Sequence, residues 1–142
     1  LNIERTHDAA LVNAIMSEAF GRRMDASRKV EKPTTFALVG EHGVIMCVLS
    51  KPQRPGLYSV TVAVKEGGRG KWGSEFISAA VSWMFKNTDA VRLWAAVAAD
   101  NRKSAIAASA STGKMLTVER INRSSLLSIT RERWSTSHAL PA

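Results

Sequence analysis

The chain has 142 residues, 45% of them apolar and 23% charged, which is ordinary globular usage and the length of one domain. No apolar run reaches the roughly 18 residues of a membrane-spanning helix, and the start, "LNIERTHDAA", lacks the basic stretch and apolar run of a signal peptide. The net charge of +8 suits an anionic partner, whether nucleic acid, a membrane surface or a polyphosphate ligand, and equally a solvated surface. The single cysteine, Cys47, excludes an intrachain disulfide and a cysteine-rich zinc site; in its apolar run it reads as a buried, reduced thiol.

Asn2–Thr6 reads as a short first strand. Leu11, Val12, Ile15, Met16, Ala19 and Phe20 recur at helical spacing and make one apolar stripe. Asp8 suits the start of that helix and Gly21 its end. Residues 22–33 are polar and basic and end at Pro33, a loop with room for one helical turn. "TTFALVG" (34–40) and "GVIMCVLS" (43–50) are predicted strands joined by the turn residues "GEHG". "KPQRPG" (51–56) is a second turn and "LYSVTVAV" (57–64) the third strand of a meander. After a glycine-rich turn comes a helix with the stripe Phe76, Ile77, Ala80, Val81, Met84 and Phe85, closed by "NTD" (87–89). "VRLWAAVA" (91–98) is nearly continuous apolar sequence, as expected of a strand covered on both faces. "ADNRKSAIAASASTG" (99–113) is a small-residue helix that Asp100 or Asn101 can cap and Gly113 can end. "KMLTVER" (114–120) and "SLLSITRERW" (125–134) are the last strands, joined by "INRSS", and 135–142 is a loose tail. The order β-α-β-β-β-α-β-α-β-β is a mixed α/β single domain over residues 1–142.

The segment "KEGGRGKWGSEF" (65–76) is the one that asks for a chemical explanation. Gly67, Gly68, Gly70 and Gly73 stand between a strand and a helix start, where free backbone N–H groups and the positive helix end attract phosphate. Glycine lets the backbone approach an anion closely, and Arg69 and Lys71 add charge. The pattern is neither a P-loop nor a G-x-G-x-x-G at a first strand-helix unit. Read alone, it is equally a flexible strand-to-helix loop.

Its context resembles the GNAT-type N-acyltransferases. In that family a strand leads into a turn of the form Arg/Gln-x-x-Gly-x-Gly/Ala, and "RGKWGSEFISAAVSWMF" (69–85) is similar to it. "VRLWAAVAADNRKSA" is similar to the family's next strand and the Asn-opened helix after it, with Asn101 in that place. The likeness runs over about residues 1–134 and includes the element order. It implies a GNAT-like fold, a mixed and mostly antiparallel sheet flanked by helices, and acetyl-coenzyme A as cosubstrate. Val62 and Val64 would present backbone groups to the pantetheine arm. Residues Gly67, Gly68, Arg69, Gly70, Lys71, Trp72 and Gly73 would hold the pyrophosphate, and Asn101 would bond the arm from the other side. A turn with tryptophan at this place is similar to acyltransferase-like proteins of bacteriophages, which implies a phage origin. The chain also departs from the family. Its turn, Arg69-Gly70-Lys71-Trp72-Gly73, is one residue short, and the following helix ends "TGKM" rather than in Gly-Phe. The family's frequent general-acid tyrosine is replaced by the run Ala107, Ala108, Ser109 and Ser111; the chain's one tyrosine is Tyr58. Residues 57–64 carry no acid where the family often has its general base, and Glu66 is the nearest carboxylate.

Acyl transfer from a thioester to an amine needs the two held together, a donor for the developing oxyanion, and proton transfer from the amine to the thiolate. Glu66 is the candidate base, or a plain surface carboxylate. Ser109, with Ser111 beside it, is the candidate acid, or a helix-packing residue bonded back to the preceding turn. His7, His42 and His138 are scattered and make no metal-ligand spacing. Trp72, Trp83, Trp94 and Trp134 read as core or groove-lining residues. The resemblance therefore carries two functions. One is an N-acyltransferase acting on an amine-bearing small molecule or protein in the cytoplasm, of the bacterial host if phage-encoded. The other is a non-catalytic protein of the same fold, a structural or assembly component of a bacteriophage virion with virion partners. Nucleic acid is not an expected partner, because no helix lines up several cations on one face and no aromatic-basic motif is present; no membrane partner is expected either. The edges of the last hairpin could pair with another copy.

Overall fold

In the computed structural model, residues 2–40, 46–64, 71–98, 117–121 and 124–136 are described. In chain order the elements are β1 (Ile3–Thr6), α1 (Ala9–Phe20), α2 (Ser27–Glu31), β2 (Phe36–Gly40), β3 (Met46–Arg54), β4 (Leu57–Val64), α3 (Lys71–Asn87), β5 (Arg92–Ala98), β6 (Thr117–Ile121), β7 (Ser124–Thr130) and α4 (Arg131–Ser135). The strands form one 7-stranded sheet in the order β1-β2-β3-β4-β5-β7-β6. Every neighbouring pair is antiparallel except β4 and β5. Among the described residues no helix is long and apolar enough to cross a membrane.

Strand alternation sends odd and even residues to opposite faces, and each face has its own helical layer. On one, α3 lays Phe76, Ala80, Met84 and Phe85 over Leu38, Tyr58, Leu93 and Ile129. On the other, α1 lays Val12, Ile15 and Met16 over Ala37, Val39 and Ala63, with Val30 of α2. The ends of α1 follow from two residues. The Asp8 carboxylate accepts the Leu11 N–H at 3.1 Å, which satisfies a helix donor with no intrahelical partner. Gly21, at φ 65, turns the chain out of the helix. Phe20, the last residue of the expected stripe, is 41% exposed.

Three expectations are corrected. β3 does not stop at Ser50 but runs on to Arg54, with a register irregularity between Pro52 and Arg54. Proline is tolerated there because β2 pairs only as far as Phe36 opposite Ser50, so the missing N–H falls on an open edge. β7 ends at Thr130, and "RERWS" is α4 rather than strand. The Thr130 hydroxyl accepts the Arg133 N–H at 3.2 Å and caps a turn that drives Trp134 fully into the α3-side core, where its ring N–H donates to Ser82 Oγ at 3.0 Å. β5 is covered on one face only among the described residues: Leu93 is buried under α3, Trp94 is half-buried, and Arg92 and Ala96 are exposed. The α1 layer packs on β2 and β4 residues and does not reach that side of β5.

Candidate functional site

The sheet contains one parallel junction, and it is incomplete. β4 and β5 pair at Leu57 with Arg92, Tyr58 with Leu93 and Ser59 with Trp94, and no further. β4 continues to Val64, still paired with β3, and β5 continues to Ala98, still paired with β7. The two strands therefore part, and a gap opens toward their carboxyl ends. The helix that connects them, α3, begins at Lys71, on the same side as those ends. In open α/β sheets the crevice beyond the carboxyl ends of the strands, at a topological switch, is where ligands bind.

Main-chain phase decides what the gap offers. The Arg92 N–H donates to the Gly56 carbonyl at 3.1 Å, so even-numbered residues of β4 turn their N–H and C=O toward β5. Past Ser59 no strand among the described residues stands beside them, and the main-chain groups of Val62 and Val64 face the gap. A polar chain lying there would find strand-edge donors and acceptors. The side chains of Val60 and Val62 point the other way, into the apolar layer under α3.

The closed end of the junction is pinned. Tyr58 is 5% exposed and its hydroxyl donates to the Asp89 carboxylate at 2.5 Å, tying β4 to the loop between α3 and β5. Its ring meets the Phe36 edge at a centroid distance of 6.1 Å, and Phe36 in turn packs on Trp83 at 5.8 Å. Burial, and then the hydrogen bond and charge of Asp89, push the phenol up to about 12. Tyr58 is thus bonded, protonated and at the end of β4 away from the gap, and it takes no part in proton transfer there.

Of the residues expected at the site, Val62 and Val64 stand at the gap, and Lys71, Trp72 and Gly73 form the first turn of α3. Glu66, Gly67, Gly68, Arg69, Gly70, Asn101 and Ser109 lie outside the described residues, as do His42 and His138. His7 is exposed beside α1, and among the described residues no group of three His, Cys, Asp or Glu is placed to hold a metal. The sequence reading did not single out Ser50. Its hydroxyl is fully buried beneath α3 and has no hydrogen-bond partner among the described residues. The signal was a polar residue at the end of an apolar strand, but only the register shows that it faces α3.

No family model and no curated protein matches the sequence. Solved structures do match the fold. A chimera of the Vibrio cholerae spermidine N-acetyltransferase SpeG and hSSAT superposes with a TM-score of 0.75 at 12% identity, over 96% of this chain and 99% of that one. The Vibrio cholerae spermidine N-acetyltransferase in complex with CoA and spermine gives 0.67 at 13% identity, over 94% and 96%. The GNAT domain of S. lividans PAT gives 0.68 at 12% identity, over 90% and 89%. The fold of this chain is therefore the GNAT acetyltransferase fold.

Proposed function

From that fold, we propose that the protein is an N-acyltransferase that moves an acetyl group from acetyl-coenzyme A to an amine. The observation that carries the reading is the parting of β4 and β5 with the start of α3 at the mouth of the gap. A long, polar, phosphate-ended donor fits such a place: its amide arm along the free edge of Val62 and Val64, its pyrophosphate against the helix start and the cations Arg69 and Lys71. A structural neighbour that is a spermidine N-acetyltransferase is solved with CoA and spermine, which supports coenzyme A as donor and an amine as acceptor. The acceptor is an amine-bearing small molecule or protein, and the place of action is the cytoplasm.

In the reaction the amine nitrogen attacks the thioester carbonyl carbon. A C–N bond forms, the C–S bond breaks, the bonding pair leaves with sulfur, and the proton lost by nitrogen goes to sulfur. The chain holds the two reactants together; Glu66 and Ser109 remain the proposed proton carriers. The test is amine-dependent release of coenzyme A thiol from acetyl-coenzyme A, over a panel of small amines and lysine peptides. Release above the amine-free rate supports the reading.

One observation favours a second reading, a GNAT-fold protein without catalysis that serves as a structural or assembly component, of a bacteriophage virion in its most specific form. The single tyrosine is committed to Asp89 at the closed end of the junction, so no tyrosine is left to act as acid. Coenzyme A binding with no amine in the panel consumed selects this second reading.

A further inference from the structure

The sheet face opposite α3 is open where the α1 layer ends, and its side chains there are basic. Cross-strand partners share a face. The registers therefore set Arg54 of β3, Leu57 of β4, Arg92 of β5 and Thr130 of β7 in one row, and Lys51, Ser59, Trp94 and Ser128 in the next. Leu57 and Ser59 alternate with Tyr58 and Val60, which lie under α3, so both rows are on the far side of the sheet. Lys51, Arg54 and Arg92 are exposed and Trp94 is half-buried. The first row continues into α4, where the Arg131 N–H donates to the Val91 carbonyl at 2.9 Å. Arg92 and Arg131 line one open groove of about 530 Å³ with Val91, Thr130, Glu132 and Ser135. Other arginines are engaged within the fold. Arg5 donates to the carbonyls of Pro33 and Thr35 at 2.8 and 3.0 Å and lies over the Phe36 ring, and Arg133 donates to the Thr117 hydroxyl. Lys51, Arg54, Arg92 and Arg131 have no side-chain hydrogen bond or ion pair among the described residues. Glu132 in the groove and Glu119 on the edge strand β6 are the acids nearest to these four cations.

We propose that this face binds single-stranded nucleic acid, with a base stacked on Trp94 and the phosphates held by Lys51, Arg54, Arg92 and Arg131. Unpaired cations gathered on one face are the electrostatic footprint of a polyanion. Arg54 and Arg92 stand two strands apart, roughly 10 Å between backbones, and their long arms can close on a phosphate chain running between them. The indole selects among polyanions. An unpaired base offers it a flat π face; an acidic peptide offers carboxylates and nothing for the ring, and a duplex keeps its bases stacked on one another. A second copy of this chain would set these cations against their own kind. The cations come from β3, β5 and the start of α4, so no single helix or run of the sequence carries them together, which is why the sequence shows no nucleic-acid motif. The face also stands apart from the coenzyme A reading. Leu57 and Val64 are the two ends of β4, roughly 23 Å apart at strand spacing, so this face is at the closed end of the junction and the gap at the other.

The test is fluorescence anisotropy of a fluorescein-labelled oligothymidylate over a salt series. It compares wild type with Arg54→Ala/Arg92→Ala, with Trp94→Leu and Trp94→Phe, and with Arg28→Ala/Lys29→Ala, which removes the same charge from exposed positions on α2. Each phosphate contact on a single strand contributes about −0.7 to the slope of log affinity against log salt. Four contacts predict a slope of about −2.8 in wild type, falling to about −1.4 in Arg54→Ala/Arg92→Ala. Trp94→Leu should weaken binding about tenfold with the slope unchanged, and Trp94→Phe should restore most of the loss, since a stacking ring returns. Thermal melting of each variant shows that it is folded. Arg28→Ala/Lys29→Ala should bind nearly as wild type does, and coenzyme A should not release the oligonucleotide. No binding by wild type in about 50 mM salt overturns the proposal, as does equal loss in the α2 variant, which would make the effect one of net charge. Polyglutamate bound as tightly as the oligonucleotide overturns it in favour of an acidic protein partner. Release by coenzyme A overturns it by placing the oligonucleotide in the gap, and leaves the coenzyme A site standing.

Discussion

Replacing Tyr58 with Phe tests the pin that closes the β4–β5 junction. The ring keeps its packing against Phe36 and the α3-side core; what is lost is the 2.5 Å bond from the hydroxyl to Asp89. A hydrogen bond to a charged group contributes about 1.5–3 kcal/mol. Asp89 is exposed and regains water in the variant, so the loss should fall near the lower end, about 1–2 kcal/mol. For a chain of this length that is a drop in Tm of roughly 2–8 °C. The pH dependence adds a second reading. The folded phenol titrates at about 12 against an ordinary 10, so the proton is held more tightly in the folded state. The stabilisation is therefore fully present below about pH 10 and is lost as the pH rises from there through about 12. Denaturant unfolding of wild type and Tyr58→Phe should show a constant difference up to about pH 9 that shrinks above pH 10. Because the chain has 1 tyrosine, tyrosinate absorbance reports this group alone; it should rise near pH 12 in the folded protein and near 10 in denaturant. A folded midpoint near 10, or a stability difference that does not change with pH, would refute the assignment.

Other substitutions test the layers that position the gap. Gly56→Ala should destabilise more than Gly21→Ala: both positions have positive φ, at 78° and 65°, but a β-carbon at Gly56 would sit 2.8 Å from Val91 Cγ2, while at Gly21 nothing lies within 4 Å. Left-handed backbone alone costs a non-glycine residue about 1–2 kcal/mol, and the double variant Gly56→Ala/Val91→Ala should recover the excess, read by urea midpoints. Trp134→Ala removes a fully buried ring and its bond to Ser82 and should lower stability by about 3–5 kcal/mol, a large share of the 5–15 kcal/mol typical of a domain. Asp8→Ala should cost about 1 kcal/mol through loss of the α1 cap, with the amides of the first turn exchanging faster.

What the sequence revealed depended on how local the cause was. The ends of α1 were legible because Asp8 and Gly21 act within one turn of the chain, and the α3 stripe because Phe76, Ala80 and Met84 repeat on one face. The end of β3 was misread because a proline normally breaks a strand; it is tolerated here only because β2 has already ended opposite Ser50, a fact about another strand. "SITRERW" reads as strand by composition, and only the Thr130 cap and the burial of Trp134 under α3 turn it into a helix. Among the described residues one face of β5 is uncovered, because the α1 layer packs on β2 and β4, which its apolar run does not reveal. The gap itself is a lack of pairing between β4 and β5, and no residue signals a lack of pairing. The resemblance of the glycine turn pointed to the right fold, while the place of Ser50 beneath α3 required the register.

The most direct test of the central claim is thermal unfolding with and without coenzyme A, for wild type and for Arg69→Ala. A ligand at 100 times its dissociation constant adds about 2.7 kcal/mol, which for this length raises Tm by roughly 5–10 °C. The account predicts a shift of that order in wild type and its loss or strong reduction in Arg69→Ala, with the unliganded Tm unchanged. No shift in wild type at millimolar coenzyme A would contradict it.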